Sequence, residues 1–308
     1  MGDDQSDSRD IYGGRRVMRG RIIKGVGGFY YVHTPDGVYT CRAKGLFRLD
    51  HTKPLVGDYV EMDVVPGEEM VGNVSKIYDR KNQLIRPNVA NVDQALIIFA
   101  LVDPVPNLVT LDKMILQYKA QGIPVLICFN KEDIASEELA TKFTVQYRGS
   151  GCRIFVTSAK DNEGVDELTD SLLGLTTTVA GPSGVGKSSL INCITNSDIA
   201  QTGDISEKLA RGKHTTRHSE IIPIAGNTYI IDTPGFGSFD LADIDAEDLC
   251  GYYEEFEGTG PCRFAPCSHT HEPDCAVKEA VSAGRISKGR YDNYVYIYNE
   301  LRGARRYT

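Results

Sequence analysis

Nowhere in the 308 residues is there an apolar run of about 18, the length that a helix needs to cross a bilayer. A membrane-spanning helix is therefore excluded. The opening stretch MGDDQSDSRDIYGGRRVMRG has no apolar core of signal-peptide length, and residues 1–16 are read as a disordered leader. No internal repeat or low-complexity tract occurs. With 41% hydrophobic and 25% charged residues, the remaining picture is a cytoplasmic globular protein. The length exceeds a typical domain of about 150 residues, so two or three domains are expected.

A disulfide framework is also missing, although eight cysteines are present. Cys41, Cys128, Cys152 and Cys193 are scattered through apparent strands and a helix, where a lone cysteine packs as a small apolar group. Cys262, Cys267 and Cys275 cluster with His269, which favours a metal over disulfides in a chain of this kind. Net charge is −8 but uneven. Residues 15–86 hold 13 Lys/Arg against 8 Asp/Glu, whereas residues 87–246 hold 12 against 20. A polyanion such as RNA would meet the first segment rather than the second.

Between residues 17 and 86, short alternating or aromatic-rich runs such as FYYVHTPDG, VYTCRAKG and GDYVEMDVV are punctuated by turn residues. Five or so strands in this length predict a small closed β-barrel, an OB-fold or an SH3-like barrel. From Pro87 the character changes. The segments 94–102, 123–129, 152–159, 175–181 and 228–235 are continuous apolar strands, most of them separated by helical stretches. That alternation predicts an α/β domain over 87–240, with a parallel sheet covered on both faces. Residues 241–308 turn acidic and helical, pass through GPCRFAPCSHTHEPDC, and end in two expected helices.

The first nucleotide-like motif is Asn130-Lys131-Glu132-Asp133, after the strand VLICF, and no phosphate loop precedes it. One follows instead: Gly181, Pro182, Ser183, Gly184, Val185, Gly186, Lys187, Ser188 and Ser189 carry G-x4-G-K-S between a strand and a helix. There the glycines let backbone N–H groups curl around phosphates and the helix N-terminus adds positive potential. Lys187 is expected to reach the β- and γ-phosphates and Ser188 to bind Mg²⁺. In YIIDTPGF, Asp232 is placed to hold Mg²⁺ through a water and Gly235 to meet the γ-phosphate with its N–H. Between these motifs, GKHTTRH offers Thr216 to Mg²⁺, with Thr215 as the alternative.

Asp133 can accept two hydrogen bonds from guanine that adenine cannot supply, and a site built on them rejects the wrong base strongly. Asn130 would tie this loop to the phosphate loop, and the Lys131 stem would lie on the purine. Ser158, Ala159 and Lys160 follow the next strand, where their backbone can meet the guanine oxygen. The order is base loop, second base loop, phosphate loop and switches, whereas in ordinary GTPases the phosphate loop comes first. Because a doubly wound sheet gathers its ligand loops at one edge, moving the termini preserves such a site. The pattern is that of a circularly permuted GTPase.

No glutamine follows Gly235; Phe236 stands there and cannot orient a water. His214 is the candidate water-positioning group, with His218 less well placed. A GTP-regulated RNA-binding scaffold with negligible turnover is the alternative that Phe236 raises. Cys262-x4-Cys267-x-His269-x5-Cys275 is a closed Cys₃His set suited to one structural Zn²⁺, with His271 as alternative ligand.

This sequence of motifs resembles the bacterial RsgA family, also called YjeQ or YloQ, over roughly residues 18–302. The resemblance implies an OB-fold, a permuted GTPase stimulated by the 30S ribosomal subunit during its late maturation, and contacts to 16S rRNA from the OB-fold and zinc domains. GTP hydrolysis to GDP would drive release. It also supports His214 as the water-positioning residue. A monomer is expected. GGFYYVH with Arg19, Arg21, Lys24, Arg42, Lys44 and Arg48 would supply stacking and basic groups for RNA, or the aromatics would form barrel core.

Overall fold

The computed structural model describes residues 9–12, 15–43, 53–85, 87–196, 220–232, 241 and 244–304. Two compact units account for them. The first takes its described residues from Met1–Asp93, Leu173–Thr178 and Asp198–Pro234; the second from Gln94–Leu172, Val179–Ser197 and Gly235–Thr308.

The first unit holds a barrel of β2 (Arg15–Val26), β3 (Phe29–Thr34), β4 (Gly37–Ala43), β5 (Tyr59–Val64) and β6 (Val71–Ile77), with β1 (Arg9–Tyr12) added outside β2. Strand β2 pairs with both β3 and β5, so the barrel closes; β4 and β6 are its parallel pair. Closure leaves no raw edge between these five strands. The inward residues of each strand form one core, Met18, Ile22, Val32, Tyr39, Cys41, Val60, Met62 and Val74. Cys41 behaves as the small apolar group expected, its thiol within 3.4 Å of the Met62 sulfur and its pKa pushed up to about 12 by burial.

The second sheet runs β11-β12-β10-β7-β8-β9. Strands β7 (Gln94–Ala100), β8 (Val125–Asn130) and β9 (Arg153–Thr157) are parallel neighbours. Every residue of β7, β8 and β10 (Thr176–Ala180) is buried, which explains the apolar runs of β7 and β8, whereas β10 buries three threonines, Thr176, Thr177 and Thr178. One strand departs from the parallel expectation: β11 (Glu220–Pro223) is antiparallel to β12 (Tyr229–Asp232) at the sheet's edge. Helices α1 (Leu108–Lys119), α2 (Glu137–Tyr147), α3 (Val165–Asp170) and α4 (Lys187–Thr195) separate the strands. Asn107 caps α1 and Ser136 caps α2 through their side-chain oxygens.

After Leu241 come short 3-10 turns at Leu249–Tyr252 and Glu254–Phe256, then α5 (Ala276–Ser282) and α6 (Lys288–Ala304). These pack with Leu116 of α1 into a core rich in tyrosine. No helix of the described residues is long and apolar enough to cross a membrane.

Candidate nucleotide and metal sites

Loops after β8, β9 and β10 carry the three predicted base and phosphate motifs, and side chains bind them together. The phosphate loop leaves β10 at Gly181 (φ +147), where any Cβ would stand 2.1 Å from the Ile98 carbonyl of β7. It enters α4 at Gly186 (φ +94), where a Cβ would meet the Asn130 amide nitrogen at 2.3 Å. Only glycine permits the two closest approaches of this loop to its neighbours. Lys187 opens α4, its Nζ donating to the Gly181 and Pro182 carbonyls at 2.8 and 2.6 Å; Ser188 and Ser189 follow on the exposed side.

Asn130 is the hub. It is 1% exposed, donates from Nδ2 to the Val185 carbonyl at 2.9 Å, and accepts at Oδ1 from Thr157 Oγ1 (3.1 Å) and the Ala159 N–H (3.2 Å). One side chain thus spans the phosphate loop and both base loops. Thr157 in turn contacts the Cys128 thiol at 3.2 Å, and Cys193 of α4 donates its thiol to the Ala159 carbonyl at 3.2 Å. These supporting residues escaped the motif reading because they lie inside strands and helices, where they look like ordinary core positions.

Lys131 adopts a left-handed conformation (φ 67) and its Nζ donates to the Asp103 carbonyl at 2.5 Å. Glu132 and Asp133 begin a 3-10 turn. The Asp133 carboxylate accepts from Ser158 Oγ at 3.1 Å and pairs with Lys160 Nζ at 3.5 Å. Ser158 also accepts from the Asp161 N–H at 3.1 Å, so the second base loop orients the acid expected to read guanine. Asp232 ends β12. His214, Thr215, Thr216, His218, Gly235 and Phe236 lie outside the described residues, as do Lys44 and Arg48.

Cys262, Cys267, His269 and Cys275 bring their ligand atoms within 4.8 Å of one another. His269 Nδ1 stands 3.3 Å from Cys275 Sγ and 3.6 Å from Cys262 Sγ. Of the two candidate histidines, His269 joins the cluster. A left-handed backbone at His269 (φ 57) aims it, and the Glu272 carboxylate clasps the turn through Ser268 N–H, Ser268 Oγ and Thr270 N–H at 2.9, 2.7 and 3.2 Å. Burial works against that carboxylate, but these donors outweigh it and bring its pKa to about 2. Tyr291 and Tyr294 of α6 donate to the His269 and Ser268 carbonyls at 2.8 and 2.7 Å.

Burial lowers the His269 pKa and favours the neutral imidazole. Burial raises Cys267 to about 12, with the neighbouring thiols adding to it; at Cys262 burial is overcome by donors including the Ala276 N–H, and its pKa falls. Three thiols converging on one imidazole suit a divalent, thiophilic cation.

Two family profiles match this chain: one described as RsgA GTPase over residues 77–242, the other as RsgA N-terminal domain over residues 19–71. A protein of Agathobacter rectalis named small ribosomal subunit biogenesis GTPase RsgA is 51% identical over 302 residues, covering 94% of this chain and all of its own length. One of the same name from Clostridium acetobutylicum is 46% identical over 291 residues, with 94% and 100% coverage. The crystal structure of YjeQ from Thermotoga maritima superposes with a TM-score of 0.78 at 34% identity, covering 93% of this chain and 99% of that one. That of YloQ, described as a circularly permuted GTPase, gives 0.75 at 35% identity, with 94% and 96% coverage.

Proposed function

This chain belongs to the RsgA family of circularly permuted GTPases, and from that premise we propose that it acts in late maturation of the small ribosomal subunit in the cytoplasm, as a monomer. The 30S particle stimulates its hydrolysis of GTP to GDP and phosphate, and hydrolysis releases it. The OB-fold and the zinc-bearing region contact 16S rRNA. The observation that carries the GTP reading is Asn130, whose amide joins the base loop to Val185 and Ala159 in the two other motif loops.

In this reading Asp133, held by Ser158 and Lys160, accepts from guanine and sets specificity. Lys131 covers the purine, and the Ala159 region meets its oxygen. Residues Gly181 to Ser189 wrap the phosphates with N–H groups, Lys187 turning from its loop carbonyls to the β- and γ-oxygens. Ser188, Thr216 and Asp232 would hold Mg²⁺, which would supply charge neutralisation to the phosphates. The Gly235 N–H meets the γ-phosphate. His214 positions the attacking water, the role that Phe236 cannot fill. Cys262, Cys267, His269 and Cys275 would hold one Zn²⁺, and with four protein ligands its role would be structural.

Phosphate release from GTP, measured alone, with purified 30S subunits and with 50S subunits as control, tests the assignment. Stimulation by 30S alone is expected, and its loss in His214→Ala. A protein that binds GTP but turns over equally slowly in all three mixtures is a scaffold instead.

A further inference from the structure

The largest fully buried side chain of the first unit is a cation whose hydrogen bonds go to neutral groups, with the Asp58 and Asp93 carboxylates acting on it through space. Arg21, 1% exposed, donates to the carbonyls of Gly57 (3.3 Å) and Asn91 (2.9 Å) and to Thr176 Oγ1 (2.5 Å), all neutral acceptors. Its guanidinium lies between the rings of Tyr59 and Tyr229, 4.8 and 4.5 Å from their centroids. Burial works against the Arg21 charge and the carboxylates of Asp58 and Asp93 offset it through space, yet a barrel seeking stability alone would be served by an apolar residue. The guanidinium instead does what an apolar residue cannot: it joins β2 to the starts of β10 and β12 through a planar fork and two π faces.

The register shows that this is a row rather than a single contact. Arg21 pairs across β2 with His33 of β3 on one side and with Tyr59 of β5 on the other. Directly paired residues share a face. His33 Nδ1 lies 3.2 Å from the Tyr229 hydroxyl, with the rings edge-on at 5.8 Å. Three adjacent barrel strands thus present one residue each to the Tyr229 end of the sheet. A second tether lies at the other end of the same hairpin. Lys24 of β2 pairs with Glu220 at 3.1 Å, and Glu220 is the cross-strand partner of Asp232 in β11–β12.

We propose that His33, Arg21 and Tyr59 form a receptor for Tyr229 that fixes the position of β12, making these barrel residues positioning residues for Asp232 in Mg²⁺-dependent GTP recognition. This rests on the reading of Asp232 as a Mg²⁺ residue. Tyr229 and Asp232 are three residues apart on one four-residue strand, too short to absorb a displacement of its first residue. The base-reading residues Asn130 and Asp133 belong to the other compact unit and have no part in the receptor.

The test separates the two recognitions. In full-length protein carrying Arg21→Lys or Tyr229→Leu, binding of a slowly hydrolysed GTP analogue is titrated against Mg²⁺, and GDP binding is measured in EDTA. Circular dichroism establishes that each variant is folded. Both variants should need on the order of tenfold more Mg²⁺, the usual effect of removing an outer support of a metal site, while GDP affinity in EDTA is unchanged. A wild-type Mg²⁺ requirement in a folded variant overturns the proposal. So does a parallel loss of GDP affinity in EDTA, which marks a merely structural role. If Arg21→Lys fails to fold, Tyr229→Phe, which removes only the hydroxyl facing His33, is judged by the same two measurements. Asp232→Asn is the control: if it leaves the Mg²⁺ requirement unchanged, the reading of Asp232 has failed; if it alone raises the requirement, the receptor has.

Discussion

Replacing Arg290 by methionine probes the charge cluster that holds α6 in the second unit. Its guanidinium donates from Nε to Glu255 at 2.7 Å and from its other arm to Asp112, while Asn293 Nδ2 donates to the second Asp112 oxygen at 2.8 Å. The rings of Tyr253 and Tyr147 lie 4.5 and 5.1 Å from it. Side-chain exposure is 2% for Arg290, 0% for Asp112 and 6% for Glu255. An exposed pair would contribute about 0–1 kcal/mol, but removing one partner of a buried pair strands the other charge and costs about 3–5 kcal/mol. With two carboxylates left behind, the upper range applies. Burial already raises the Asp112 pKa, and Arg290 is the largest influence opposing it. Without Arg290 the folded-state pKa climbs further above the unfolded value of about 3.9. A raised carboxyl pKa means that the folded form binds the proton more tightly. The variant is therefore most stable in acid and loses stability as pH rises through the folded-state pKa. Adding Asp112→Asn should restore part of the loss, with a coupling of about 0.5–3 kcal/mol. The chain has no tryptophan, so urea unfolding is followed by far-ultraviolet circular dichroism. A loss below about 1 kcal/mol, or strict additivity with Asp112→Asn, would refute the argument.

Gly186→Ala should abolish nucleotide binding while leaving the circular dichroism spectrum intact, because its Cβ would stand 2.3 Å from the Asn130 amide; GDP titration reads this. Removing the proposed Zn²⁺ with a chelator should melt the loop between Cys262 and Cys275, read as a gain in its proteolysis. Glu272→Ala should weaken zinc binding on the order of 10- to 100-fold, read by competition with a chromophoric chelator. Burial depresses the pKa of His33, beside Arg21 and Tyr229. Below about 6.5 the unfolded chain takes the proton first, so the stability that His33 contributes above that pH falls as the pH drops toward the folded-state value. Replacing His33 by glutamine should flatten this part of a pH–stability profile.

The nucleotide motifs were legible because their physical causes are local. A strand buried on both faces reads as a continuous apolar run, as in β7 and β8, and a loop that touches a neighbouring backbone demands glycine, as at Gly181 and Gly186. The barrel was legible for the same kind of reason, since half-buried strands alternate. What the chain did not disclose was set by residues far apart in sequence. Arg21 lies in RGRIIKG among other basic residues and reads as a solvent-facing cation for RNA, yet Thr176 and Tyr229 bury it. Spacing left His269 and His271 as alternatives for the histidine of the cysteine cluster. The choice follows from the Glu272 clasp and the tyrosines of α6, neither of which has a motif.

Strand β11 shows a further limit. EIIP is four residues long and antiparallel at the edge, so it has neither the length nor the helix that marks the other strands of its sheet. Yet it and β12 group with the barrel in one compact unit, while Asn130 and Asp133 group with the cysteine–histidine cluster of residues 262–275. Composition changes at Pro87 and again after residue 240, and boundaries drawn there follow local chemistry. The grouping follows long-range contacts, among them those of buried Arg21 and His33 and of half-buried Lys24, three barrel residues with partners on β10, β12 and β11. The hairpin of β11 and β12 is thus tied to the barrel at both ends, at Tyr229 through Arg21 and His33 and at Glu220 through Lys24.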